Sequence, residues 1–180
     1  KKCGRAMRIC CLLMLFTVQE LLAWTLSIGA APLAYIPNRS NNTVSVFDTA
    51  TNALVGSPIP VGQRPTGVAV SRDGNRVYVT NQLDNTVSII DTATQAVLGS
   101  PIQVGGQPFG VAVHPDGTYV YVANNSSGTL SIIDTQTRTV LGEPLPVGRA
   151  PTGVVVHPSG ARARSTRRAP PTSAPASSPT

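Results

Sequence analysis

At 180 residues the chain has the length of one domain, and its net charge of +6 with a pI near 9.8 first suggests a nucleic-acid partner. The placement of the charge argues against that class. Lys1, Lys2, Arg5 and Arg8 crowd one terminus and Arg162, Arg164, Arg167 and Arg168 the other, while between Ala31 and Gly160 six Arg and no Lys face six Asp and one Glu.

Cys3, Cys10 and Cys11 all lie in the first eleven residues, so no disulfide framework or thiolate metal site is available to the rest of the chain. In that same segment a basic start is followed by the apolar run Ile9–Val18, then Gln19 and Glu20, then Leu21 to Ala31 ending in small residues. This is the pattern of a secretory signal peptide over residues 1–30, with a signal-like helix and cleavage after Ala30. Glu20 is costly in such a segment. An uncleaved anchor over Ile9–Ala31 and an upstream region misread as coding are the alternatives. Export places the protein outside the cell, on its surface, or in the periplasm.

From Tyr35 onward the chain repeats. Residues 61–103 and 104–146 align without a gap at a period of 43, with 24 identical positions. Residues 35–60 copy the later part of the unit and 147–160 its beginning, so the repeat region spans 31–160. Each unit holds four runs rich in Val, Ile, Thr and Tyr. In the first full copy these are Gly67–Ser71, Arg76–Asn81, Thr86–Asp91 and Ala96–Val104. Turn residues separate them: Arg72-Asp73-Gly74-Asn75, then Gln82–Asn85, then Asp91-Thr92-Ala93-Thr94. Gly99 and Pro101 place the fourth run at a sheet edge, because proline cannot donate to a ladder. Four antiparallel strands in about 40 residues is the composition of one propeller blade. Runs such as Val87-Ser88-Ile89-Ile90 do not alternate cleanly, as expected of strands covered on both faces.

Tyr78-Val79-Thr80-Asn81 matches the tetrapeptide that names the YVTN family of β-propeller repeats, and Pro65–Val70, Asp73-Gly74, Thr86–Asp91 and Val104-Gly105 resemble its consensus. Equivalents recur at Tyr121–Asn124, Pro108–Val113 and Thr129–Asp134. The resemblance implies an all-β propeller domain of a kind found in secreted or cell-surface proteins of bacteria and archaea, including surface-layer-like proteins. The more distant similarity to WD-repeat blades implies that Gly67–Ser71 is the innermost strand and Ala96–Val104 the outermost. The family carries no common catalytic residues.

Counting units predicts an incomplete ring. Tyr35–Pro60 supplies three strands of a blade and Gly153–Val156 one innermost strand, which together would make a composite blade. With the two full copies that gives about three blades in an open arc, whereas closed propellers have about four to eight. Exposed blade faces invite self-association. The expectation is a fragment of a longer propeller, or a chain that completes a ring with others. After Gly160 the pattern stops in mid-blade, and residues 161–180 form an Arg/Pro/Ala/Ser/Thr tail expected to be disordered. A reading-frame shift near Gly160 and a wall-spanning linker are the two accounts of it.

Candidate chemistry is sparse. His114 and His157 share one repeat position, with Ser71 in the first copy, and read as turn residues before Pro rather than metal ligands. Asp48, Asp91 and Asp134 each open a D-T-x-T turn, a role that explains them without catalysis. Gly62, Gly105, Gly106 and Gly148 form no phosphate-binding loop. The glycosylation sequons at Asn38, Asn41 and Asn124 fall in Asn-rich turns. No catalytic, cofactor-binding or metal residue is assigned. The expected function is that of an exported, non-enzymatic surface scaffold or binding platform for a protein or cell-wall polymer. Specificity is expected where the copies differ, as at Gln82–Asn85 against Asn125–Gly128. The alternatives are a fragment of a cofactor-dependent redox or hydrolytic propeller enzyme, or a non-functional remnant.

Overall fold

The computed structural model describes residues 32–158. The signal-like segment and the tail lie outside the described residues. Within them the chain is all β, with fourteen strands in three antiparallel sheets.

The first sheet holds β1 (Leu33–Asn38), β2 (Thr43–Asp48), β3 (Ala53–Leu54) and β4 (Ile59–Pro60). The middle sheet holds β5 (Pro65–Val70), β6 (Arg76–Asn81), β7 (Thr86–Asp91), β8 (Ala96–Val97) and β9 (Ile102–Gln103). The last repeats this plan with β10 (Pro108–Val113), β11 (Tyr119–Asn124), β12 (Thr129–Asp134), β13 (Thr139–Val140) and β14 (Leu145–Pro146). Each sheet is one blade. The strand order β5–β6–β7–β8 places the Gly-Val-Ala-Val strand at one edge, and β5 packs beside β10 of the next blade, so these edges gather on the axis side.

The outermost strand differs from expectation. Instead of one run over Ala96–Val104 there are two dipeptide strands, both paired to β7: Val97 opposite Ile90 and Ile102 opposite Val87. Between them the chain bulges through Leu98-Gly99-Ser100-Pro101, with Gly99 at φ 70°. Pro101 has no amide hydrogen to give the ladder, and glycine takes the left-handed turn at little cost. A second expectation fails within the described residues. Gly153–Val156 forms no strand and does not pair with β1, whose one partner there is β2. No composite blade forms, and the three blades make an open arc.

Two apolar layers hold the arc together. Val77, Val79 and Ile90 of the middle blade meet Val44 and Val46 of the first. Tyr78, Val87 and Ile89, from the opposite face of the same strands, meet Val120, Val122 and Ile133 of the last. Alternate residues of one strand thus serve two interfaces, which is why the sequence run is continuously apolar. Gly67 and Gly110 allow the close approach. A Cβ at Gly67 would strike the Phe109 carbonyl and lie 2.9 Å from Thr80 Oγ1, and one at Gly110 would lie 2.7 Å from Gly153 Cα.

The Asn of each Tyr strand anchors its blade. Asn81 Nδ2 donates to Thr86 Oγ1 and Ser88 Oγ, both at 2.9 Å. Asn124 does the same to Thr129 and Ser131, and Asn38 to Thr43 and Ser45. The Val-Gly turn crosses directly above: a Cβ at Gly62 would lie 2.6 Å from the Asn81 side chain. The N, T and S of the repeat signature are therefore one hydrogen-bonded unit. Asn81 and Asn124 Oδ1 are buried without a partner, so each anchor carries a desolvation cost against its two bonds.

Candidate functional site

The loops divide between two rims of the arc. On one rim the Asp of each D-T-x-T turn caps its own backbone. Asp48 Oδ1 accepts from Ala50 and Thr51 N–H, Asp91 from Ala93 and Thr94, and Asp134 from Gln136 and Thr137, over 2.8–3.2 Å. These bonds hold all three carboxyls below the usual carboxylate range. The turn role expected of them is their structural role.

The same rim carries the first hairpin turn of the middle and last blades. In the middle blade Gly74 N–H bonds Ser71 O at 2.9 Å, with Gly74 at φ 73°. Asp73 accepts from Ser71 Oγ at 2.5 Å and from Asn75, which lowers its pKa, the serine bond contributing most. In the last blade His114 replaces Ser71, and its Nδ1 lies 2.6 Å from Asp116 Oδ1. Asp116 also accepts from the Thr118 hydroxyl and amide at 2.6 and 2.9 Å. The two Thr118 bonds, with His114 behind them, bring Asp116 down to about 2. The His114 ring stands edge-on to Tyr119, centroids 6.4 Å apart. Thus His114 is a turn residue, as expected. His157 is exposed at the end of the segment after β14. Among the described residues no group of three or more His, Cys, Asp or Glu side chains is placed to hold a metal ion.

Between these turns lies a groove of about 900 Å³ where the middle and last blades meet. Arg72, Asn75, Arg76, Asp91, Asp116 and Gln136 line it, over a floor formed by Tyr78. Burial raises the Tyr78 phenol above its ordinary value, and Arg76 beside it opposes the rise. The two arginines also tie the blades: Arg72 Nη1 donates to Pro115 O at 3.2 Å and Arg76 Nη1 to Thr135 O at 3.1 Å. The two copies differ here. Arg72, Asn75 and Arg76 become Pro115, Thr118 and Tyr119 one repeat later. Reading the sequence for differences at the second turn missed this groove, because it is assembled from turns 16 or more residues apart and from two blades. A visible signal was the Arg-x-x-x-Arg of the middle copy, absent from the last.

The opposite rim holds Gln82–Asn85 and Asn125–Gly128. Gln82 is buried and bonded by Arg39 of the first blade at 2.9 Å, and Asp84 Oδ2 accepts from Gln63 N–H at 2.7 Å. Asn42 and Asn85 Oδ1 accept from Arg64 and Gln107 N–H. These positions are largely spent on linking loops, which leaves Leu83, Ser126 and Ser127 as the exposed variable residues. Of the sequons at Asn38, Asn41 and Asn124, Asn124 is fully buried and Asn38 is bonded, while Asn41 is exposed.

A family model described as a YNCE-like beta-propeller matches residues 75–143. Hydrazine synthase from Kuenenia stuttgartiensis is similar at 28% identity and a TM-score of 0.67, over 71% of this chain and 36% of that one. The arc is a set of β-propeller blades. A functionally unknown protein from Desulfotomaculum acetoxidans DSM 771 shares the fold at 22% identity and TM-score 0.59, over 71% of this chain and 46% of that one. The dihydro-heme d1 dehydrogenase NirN does so at 22% and 0.56, over 67% and 26%. This chain spans less than half the length of these solved chains. No curated protein matches the sequence.

Proposed function

We propose that this chain is an exported, non-enzymatic propeller module of the YVTN kind, serving at the cell surface as a binding platform. The groove between the middle and last blades is its binding surface, and a hydroxyl-rich cell-wall polymer is its partner. The observation that carries this reading is the lining of the groove. Arg72, Asn75, Arg76 and Gln136, hydrogen-bonding groups at positions that differ between copies, line it beside the shared turn carboxylates Asp91 and Asp116. Loops on a rigid scaffold are the usual carriers of recognition. Co-sedimentation of the full chain with insoluble peptidoglycan tests it. Arg72→Ala and Gln136→Ala are expected to weaken retention severalfold with unchanged circular dichroism. Retention absent in the native chain, or equal in both variants, overturns it.

The similarity to hydrazine synthase favours a second reading, a piece of a cofactor-dependent propeller enzyme. Metal analysis and a visible absorbance scan of the exported protein decide between the two: a bound chromophore or stoichiometric metal supports the enzyme.

A further inference from the structure

Two deficits in the arc match each other. Among the described residues β1 has one edge unpaired, and the apolar run Val154-Val155-Val156 has no partner strand, with Val155 94% exposed. In both other blades a Gly-Val-Ala-Val strand pairs with the Tyr strand. Val68 lies opposite Val79 and Val70 opposite Val77 in the middle blade, with Val111–Val122 and Val113–Val120 in the last. One repeat earlier, Ile36 and Ala34 hold the places of Val79 and Val77.

Glycine decides which strand can fill the gap. At Gly67 a Cβ would strike the Phe109 carbonyl of the next blade, and at Gly110 it would come within 2.9 Å of the Thr152 carbonyl. The strand beside β1 must pass the equivalent carbonyl, that of Thr66, so it too requires glycine at this place. Counting back 43 residues from Gly67 reaches Trp24, which does not meet the requirement. Gly153 does. A Cβ there would meet nothing within 4 Å in the single chain, so no contact within the described arc calls for the glycine.

The blade faces carry the same complementarity. Ile36 is 45% exposed where Val79 is fully buried, and Leu145 is 51% exposed where Ile102 is buried. The last blade's free face therefore repeats the surface that the middle blade presents to its neighbour. The first blade's free face repeats the one it would receive.

We propose that Gly153–Val156 of a second copy of this chain adds to β1 as the innermost strand of the first blade, and that two copies close reciprocally into one ring. Head-to-tail contacts of this type close when the rotation permits. Two copies of three blades make six, within the range of about four to eight, whereas three copies would make nine.

The test uses the full chain. Light scattering is expected to give the two-copy mass, and Gly153→Val to shift it to one copy with an unchanged β spectrum, since the new side chain meets nothing within the arc. Mixing two single-cysteine chains, Ala34→Cys and Val156→Cys, each with Cys3, Cys10 and Cys11 changed to Ser, is expected to yield a disulfide-linked pair on oxidation. A one-copy mass for the native chain, an open-ended series of larger masses, a two-copy mass unaffected by Gly153→Val, or absence of the cross-link overturns the proposal.

Discussion

The middle and last blades share 24 of 43 residues, yet equivalent side chains end in different surroundings. Tyr78, Ile89 and Ile102 are buried against the last blade, while Tyr121 and Ile132 are half-buried and Leu145 is exposed. On strands β6 and β7 nearly every residue is buried; on β12 burial alternates. The difference teaches that the unit is written for a blade with two neighbours. A blade with one neighbour keeps its strands and turns, because those depend on local pairing, and loses only half of its packing.

The comparison breaks most sharply at the glycines. Gly67→Val forces a side chain into the Phe109 carbonyl and Thr80 Oγ1, and is expected to cost about 3 kcal/mol in urea unfolding. Gly153→Val should leave single-chain stability unchanged. Next come the apolar positions. In the Gly153→Val background, Ile90→Ala is expected to cost about 3 kcal/mol and Ile132→Ala about 1, read from the same denaturation midpoints, because only the first leaves a closed cavity. Equal losses would mean that the last blade's face is covered.

The asparagine anchors sharpen the comparison at smaller scale. Asn81→Ala removes two buried hydrogen bonds but also an unpartnered acceptor, for a net loss of about 1–2 kcal/mol. Asn38→Ala, with the same two bonds in a half-buried setting, should cost less than half of that. A pH titration reads the two hairpin turns. Asp116 has its carboxyl lowered from 3.8 to about 2 in the folded chain, so its stabilising effect is complete above pH 4 and is lost as pH falls toward 2. Asp116→Asn should flatten the acid limb of the melting temperature over that window. Asp73→Asn should flatten it in the same direction, its carboxyl being lowered by Ser71 and Asn75. The smallest effect is at the loop after β14. Ala150 sits at φ 50°, and its equivalent Gln107 bonds Asn85, whereas Gly128 offers Ala150 no side-chain acceptor. Ala150→Gly is expected to stabilise by up to about 1 kcal/mol in thermal melts.

Much of this was legible beforehand. The strands Arg76–Asn81 and Thr86–Asp91, the Asp-Gly hairpin, the D-T-x-T caps, the blade as a unit and the open arc all follow from residues within 43 positions of one another. Local hydrogen bonding and a two-residue side-chain period suffice for them. The split of Ala96–Val104 was half visible in Gly99 and Pro101, yet its length depended on how far β7 could pair. The groove was not legible. Arg72 and Arg76 read as turn charges until the next blade brought Pro115 O and Thr135 O within their reach.

Periodicity alone determined what each piece of this chain is, because strand pairing and turns within a blade are local and each copy repeats the same choices. It also announced a missing strand. Tertiary structure decided what the pieces leave over among the described residues: an unpaired β1 edge, an unpartnered Gly153–Val156, a glycine that no contact in the arc requires, and a polar groove shared by two blades. Those depend on the angle and spacing between sheets, which side-chain packing sets and no single repeat encodes.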